Sequence, residues 1–259
     1  MHRARKRFGQ NFLTDQQVLN DIISSINPKK GESMVEIGPG LAAMTRLLLE
    51  GLDQLHVVEL DRDLVARLKK GFDPQRLIIH EGDALQFDFL SWAQNRSHKT
   101  GLCKVVGNLP YNISSPLLFH LVSAAKAIDE QVFMLQAEVV ERMVAPAGSS
   151  DFSRLSVMLQ ARYDMERVLE VPPEAFEPKP KVNSAVVRMI PRQDYDLSDT
   201  QWNALEKIVA AAFSQRRKML RTNLQTFADH LKLTEQELKA RAQDISVARY
   251  IEWAKMIAA

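Results

Sequence analysis

Cysteine is almost absent from this chain: Cys103 is the only one, so no internal disulfide can form and a reducing compartment is expected. Lying in the short apolar run CKVV, it reads as a small buried hydrophobe rather than a reactive thiol. Long hydrophobic runs are missing too. No segment approaches the ~18 apolar residues of a membrane span, and the nearest, LLFHLVSAAKAI, is broken by His120 and Lys126. A soluble, cytoplasmic protein with no membrane partner is therefore expected. The net charge is only +2, which excludes an overall polycation, and there is no internal repeat or low-complexity tract. What remains is ordinary: 46% apolar and 25% charged residues over 259 positions. That composition supports a packed core in one large domain, or in an ordinary domain with a smaller appendage.

The positive charges are unevenly placed. Arg3, Arg5, Lys6 and Arg7 precede any acid, and Arg216, Arg217, Lys218 and Arg221 form a second acid-free cluster. Such runs are usually solvated faces, so neither cluster alone argues for a nucleic-acid partner. The N-terminal stretch MHRARKRFGQNF lacks the apolar segment of a secretory signal, and composition alone does not separate it from an Arg-rich transit peptide.

From Val18 to Ile26 apolar residues recur at helical spacing, and Asn27-Pro28 ends the pattern. The period then changes. MVEI (34–37), LHVVEL (55–60), LIIH (77–80) and CKVV (103–106) read as buried strands, separated by helical stretches. A helix is expected from Ser115 to Ala127, with Pro116 at its first turn. Alternating strand and helix predicts an α/β, doubly wound parallel sheet. VFMLQ (132–136), VLEV (168–171) and SAVVRMI (184–190) add later strands, and Leu155–Arg162 a helix. Beyond Leu197 only amphipathic helices remain. The expected division is a catalytic domain over 1–192 and a helical domain over 193–259.

Gly38-Pro39-Gly40-Leu41-Ala42-Ala43 follows the first strand and opens a helix, matching G-x-G-x-x-G/A, and Glu59 ends the second strand. This is a nucleotide pocket in context. A dinucleotide would place its pyrophosphate close to Glu36, whose carboxylate repels an anion. S-adenosylmethionine, cationic and free of phosphate, suits a wall of Glu36, Glu59 and Asp83. Glu59 is placed to accept from ribose hydroxyls and Asp83 from the adenine amine. Taken singly, each of these residues is equally a tight turn or a helix cap.

The fourth strand ends in Asn108-Leu109-Pro110-Tyr111, where such sheets bind their ligands. The Asn108 amide and the Leu109 carbonyl can accept hydrogen bonds from an exocyclic amine, while Pro110 holds the turn and brings no competing N–H. Tyr111 can stack on the base. In isolation the same four residues are an ordinary strand-ending turn.

Together FGQNFL (8–13), VEIGPGLAAMT (35–45), VELD (58–61), GDAL (82–85), GNLPYNISSPL (107–117) and AFEPKPKVNSAVVR (175–188) resemble the ribosomal RNA adenine dimethyltransferases that act on 16S rRNA, over nearly the whole chain. The resemblance implies a Rossmann-like class I methyltransferase sheet with a smaller all-helical C-terminal domain. It implies S-adenosylmethionine as cofactor, no metal, and dimethylation of N6 on two adjacent adenosines near the 3′ end of 16S rRNA in the 30S subunit or its precursor, by a monomer. Carried over by position, Asn11, Leu13, Gly38, Glu59, Asp83 and Asn108 are the cofactor contacts. Tyr111 and Phe176 become the base-stacking pair, although Phe176 alone would read as core. Residues 1–13 become a lid, and Arg5, Lys6, Arg7 and the Arg216–Arg221 cluster become RNA contacts. The family often has glycine where this chain has Ala42, a departure expected to matter little because alanine is also allowed at the packing position of the fingerprint, so the Ala-Ala pair should let the helix pack as closely. Two alternatives are a 23S rRNA adenine methyltransferase of the macrolide-resistance type and a non-catalytic RNA- or DNA-binding assembly or transcription factor on the same fold. The AFEPKPKVNSAVVR segment argues against the first, and the intact Asn108, Pro110, Tyr111, Glu59 and Asp83 against the second.

Overall fold

A computed structural model describes residues 10–95, 101–194 and 196–258, so Arg5, Lys6, Arg7 and most of the expected lid lie outside the described residues. The described chain begins with β1 (Phe12–Leu13) and α1 (Gln16–Ile26). Strand and helix then alternate through β2 (Ser33–Ile37), α2 (Ala43–Gly51), β3 (Leu55–Glu59), α3 (Arg62–Gly71), β4 (Leu77–Glu81), α4 (Phe89–Gln94), β5 (Cys103–Asn108) and α5 (Ser114–Val122). Next come β6 (Glu130–Gln136), α6 (Ala137–Val144), α7 (Arg154–Gln160), β7 (Tyr163–Val171), β8 (Phe176–Glu177) and β9 (Ser184–Pro191). Helices α8 (Asp199–Ala212), α9 (Leu220–Asn223), α10 (Ala228–Leu231), α11 (Glu235–Lys239) and α12 (Val247–Ile257) complete the chain.

Local chemistry sets the ends of these elements. The Asp15 carboxylate accepts from the Val18 N–H at 3.0 Å and caps α1, which stops at Asn27 in the left-handed conformation before Pro28. Asp61 caps α3 in the same way, and Lys69 and Lys70 complement the dipole in its last turn. Helix α5 is shorter than expected, ending at Val122. There the Ser123 hydroxyl donates to the His120 carbonyl at 2.8 Å, competing with the helical ladder.

Seven strands form the main sheet in the order β4-β3-β2-β5-β6-β9-β7, with β2 to β6 parallel. The sheet is not wholly parallel as the sequence pattern suggested, since β9 runs antiparallel to β6. Every residue of β2 and β3 is buried, as central parallel strands require. One face packs Met34, Val57, Val106 and Val132 against Leu19, Ile22 and Ile26 of α1 and Met44 and Leu48 of α2. Away from the site, the buried Lys104 ammonium pairs with Glu32 at 3.0 Å and Glu130 at 3.5 Å and donates to the Ile26 carbonyl at 2.9 Å, so its charge is satisfied structurally.

The described residues divide into two compact units, one drawn from 1–140 and 166–191, the other from 141–165 and 192–259. This differs from a single cut after residue 192. Residues 141–165 join the C-terminal helices because α7 packs on α8 and α12. Phe152 also meets Phe213 at 6.4 Å, and the Arg162 guanidinium lies 4.5 Å over the Trp202 ring.

Candidate active site

The parallel register brings the carboxyl ends of four strands together: Ile37 pairs with Val58 and Gly107, and Glu59 with Glu81. At Gly107 a methyl group would sit 2.6 Å from the Ile37 carbonyl oxygen, so β5 approaches β2 this closely only with glycine. Gly38 and Gly40 adopt φ of 66° and 56°, turning the chain sharply into α2. Around this turn lies a cavity of about 350 Å³, the size range of small-molecule sites. Asn11, Leu13, Gly38, Glu59, Asp83, Asn108, Leu109, Pro110 and Tyr111, chosen from the sequence, all line it.

Its titratable wall is acidic. Glu36, Glu59 and Asp83 line the cavity, and among the described residues no lysine or arginine does. Glu59 is fixed by the backbone N–H groups of Asp61 at 2.8 Å and Gly40 at 3.3 Å. Burial raises its carboxyl above the usual range, against those hydrogen bonds. Asp83 accepts from the Leu85 N–H at 2.9 Å through one oxygen, and a carboxylate has further lone pairs for a ligand. Glu36, read from the sequence as a carboxylate facing the ligand, is buried at 2% exposure. Burial pushes its carboxyl up to about 8, against the Thr45 hydroxyl that donates to it at 2.7 Å, and the neighbouring Glu59 charge adds to the rise. Burial thus favours its neutral form, and an adjacent cation would favour the charged one. A wall of acceptors without a basic side chain fits S-adenosylmethionine, with its hydroxyls, amines and positive charge, and disfavours phosphate.

The Asn108 amide nitrogen donates to the Asn11 carbonyl at 3.1 Å, which turns the amide so that its oxygen is the atom presented to a ligand. The Leu109 N–H donates to Met134 O at 3.1 Å, and the Pro110 carbonyl accepts from the Ile113 N–H at 3.1 Å, holding the turn. Tyr111 lines the cavity, and its hydroxyl meets the buried Ser184 hydroxyl at 2.6 Å. Ser184 was not foreseen, because its partner lies 73 residues away. Leu60 was also missed: it is 48% exposed yet lines the cavity one residue beyond β3, an apolar wall for a flat ring.

Phe176 is not brought to the cavity. It is 1% exposed, paired with Leu13 across the two-stranded β1–β8 ladder and packed in the main core, so no ring face is open to a base. Arg216, Arg217 and Lys218 are exposed between α8 and α9, and Arg221 is exposed within α9, with Arg216 donating to the Ser150 carbonyl. Ala42 also departs from expectation: it takes a left-handed conformation with φ 67° and ψ 30° before α2, so the position makes a demand on the backbone, one that glycine meets more readily than alanine, rather than on helix packing.

The sheet and the acidic cavity at its carboxyl edge define a class I, S-adenosylmethionine-dependent methyltransferase. The whole chain, residues 1–259, matches the family described as Ribosomal RNA adenine dimethylase. It is 56% identical over 258 residues to the Ribosomal RNA small subunit methyltransferase A of Herminiimonas arsenicoxydans, covering 99% of both chains. Among solved structures, a dimethyladenosine transferase from Plasmodium falciparum matches with a TM-score of 0.77 at 24% identity, over 93% of this chain and 95% of that one. A 23S rRNA methyltransferase matches at 0.68 and 21%, over 95% and 99%. These two likenesses are of fold. The chain belongs to the ribosomal RNA adenine dimethylase family.

Proposed function

We infer that the protein transfers methyl groups from S-adenosylmethionine to N6 of two adjacent adenosines near the 3′ end of 16S rRNA, giving N6,N6-dimethyladenosines. The observation that carries this reading is the Asn108 amide, locked by Asn11 with its oxygen presented at an acidic, cation-suited cavity. The near-full-length relatives named for the small subunit favour it over a 23S rRNA target.

S-adenosylmethionine supplies an electrophilic methyl group on a sulfonium. Adenine N6 is a poor nucleophile because its lone pair is delocalised into the ring. The Asn108 Oδ1 and the Leu109 carbonyl accept its two hydrogens, drawing them out of the ring plane and localising the lone pair. No strong base is needed, since the nitrogen becomes acidic only as the new N–C bond forms and the methyl–sulfur bond breaks to leave a neutral thioether, and it then loses its proton to Asn108 or water. After one methyl is added a single N–H remains, so one acceptor must orient the amine for the second transfer. Catalysis rests on position and fixed dipoles. Tyr111 stacks on the base, while Asn11, Leu13, Gly38, Glu59 and Asp83 hold the cofactor.

Residues 1–13 act as a lid, and Arg5, Lys6, Arg7, Arg216, Arg217, Lys218 and Arg221 meet RNA phosphates. The preferred substrate is the 30S subunit or its precursor, engaged by a monomer in the cytoplasm. Among the described residues, no helix is long and apolar enough to cross a membrane. Incubation with labelled S-adenosylmethionine and under-methylated 30S particles is expected to yield N6,N6-dimethyladenosine in the small-subunit RNA. Label confined to 23S rRNA, or absent, overturns the assignment.

A further inference from the structure

A second concave surface, of about 350 Å³, lies between α2 and α3 and shares Gly40 and Leu41 with the wall of the cofactor cavity. Its charged lining is Arg46 from α2, Arg67 and Lys70 from α3, and one carboxylate, Asp63. The cations of α3 fall into two groups. Arg62 pairs with Glu81 at 3.3 Å and Lys69 with the same carboxylate at 4.0 Å, on exposed side chains. Arg67 and Lys70, one turn apart and both exposed, have no ion pair among the described residues.

Arg46 is placed by packing rather than by charge. Its guanidinium lies 5.0 Å over the ring of Phe72, which itself packs against the main core. A guanidinium stacked on an anchored ring keeps its N–H edges outward, and the aromatic face supports the cation without neutralising it. The cleft thus has a preorganised fork on one wall, two cations without an ion pair among the described residues on the other, and a small net positive charge between them. The acidic cofactor cavity that adjoins it has the opposite character. A solvated charged face has no reason to be concave or to hold an arginine in place.

We propose that this cleft binds backbone phosphates of the substrate RNA flanking the target adenosine, while the base itself enters the neighbouring cavity. The inference rests on the RNA-methylating reading above. Phosphate is the anion that a guanidinium fork with flanking cations recognises in RNA. Contacts here fix where the strand lies and leave the chemistry at Asn108 untouched.

The test combines Arg46→Gln, Arg67→Gln and Lys70→Gln in the full chain, all at exposed positions. Binding to under-methylated 30S particles and to naked 16S rRNA is measured across a salt series without catalysis, and S-adenosylmethionine affinity is measured separately. The expected result is unchanged cofactor affinity, a salt slope smaller by ~2, and binding to both RNAs weaker by about tenfold at physiological salt. An unchanged slope on both RNAs overturns the proposal. Weakened binding to the particle with unchanged binding to naked RNA also overturns it, assigning the cleft to a ribosomal protein. Arg46→Lys, which keeps the charge but loses the fork, is expected to retain the slope and lose part of the affinity; full affinity there contradicts the stacked-fork argument. Because these readouts are binding alone, a failure of the wild-type protein to methylate would strike the proposed function and not this cleft.

Discussion

Asn108 and Asn11 are joined across 97 residues by a 3.1 Å hydrogen bond, from the side-chain amide of the first to the backbone carbonyl of the second. Because the acceptor is backbone, the orientation of the amide does not depend on a second side chain. In the proposed reaction, Asn108→Ala takes away one of the two groups that align the target amine. The expected loss in kcat is ~100- to 1000-fold, the range for a preorganised hydrogen-bonding group in a reaction centre. Particle binding should stay near wild type, since the proposed phosphate contacts lie elsewhere. Binding lost to the same extent as turnover would make Asn108 a structural residue. Asn108→Asp should be comparably inactive, because its carboxylate would face the Asn11 carbonyl with no proton to donate.

The Tyr111 hydroxyl lies 2.6 Å from the buried Ser184 hydroxyl, a link that ties the far end of the ring to β9. Burial raises the Tyr111 phenol above its ordinary value, so it stays neutral at working pH. Tyr111→Phe and Ser184→Ala each cut the same link and are expected to lower kcat/KM by roughly three- to tenfold, with the double variant no worse than the poorer single one. Losses that simply multiply would show that the two residues act independently. Tyr111→Ala should cost more than Tyr111→Phe, since a stacked ring is worth about 1–3 kcal/mol per base.

Glu36 links the cavity to pH. Its folded-state value of about 8 lies above the unfolded carboxyl value of 4.5. Between those limits the folded chain binds more protons, so stability must fall as pH rises, by up to ~1.4 kcal/mol per pH unit. Glu36→Gln retains an acceptor for Thr45 and cannot ionise. It should melt above wild type at pH 8, with the gap closing towards pH 5, and should bind S-adenosylmethionine more weakly. A gap independent of pH would remove Glu36 from the titration.

Much of this site is readable from local pattern. The β2 to α2 turn declares itself in Gly38 and Gly40, and the strand ends at Glu59 and Asn108 follow from apolar runs that stop at polar residues. Long-range pairings are not readable in that way. The β1–β8 ladder joins Leu13 to Phe176 through two-residue strands too short to carry a period, and it buries the ring that the family pattern assigns to stacking. Strand β7 starts at Tyr163, earlier than VLEV suggests, because its exposed residues alternate with half-buried ones and apolar content alone underestimates it. The assignment of 141–165 to the second unit depends on aromatic contacts with α8 and on to Phe213, and no composition change marks it. Burial also bears on an electrostatic inference: Glu36 reads as a charge in sequence, whereas in the fold it is buried and its carboxyl is pushed up to about 8.

Ala42 gives a prediction free of the chemistry. At φ 67° its Cβ crowds the following carbonyl, a strain of about 1–2 kcal/mol for an L-residue that glycine does not feel. Glycine in turn loses more chain entropy on folding, by roughly 0.5–1 kcal/mol. Strain outweighs entropy here, so Ala42→Gly should stabilise the unit that contains it by ~0.5–1 kcal/mol. Its urea midpoint should rise accordingly, with an unchanged denaturant slope. Ala42→Val should fall below wild type, because a β-branched residue tolerates the left-handed region worse than alanine. A glycine variant less stable than wild type would mean that the Ala42 methyl, buried at 3% exposure, contributes more through packing than its backbone loses through strain.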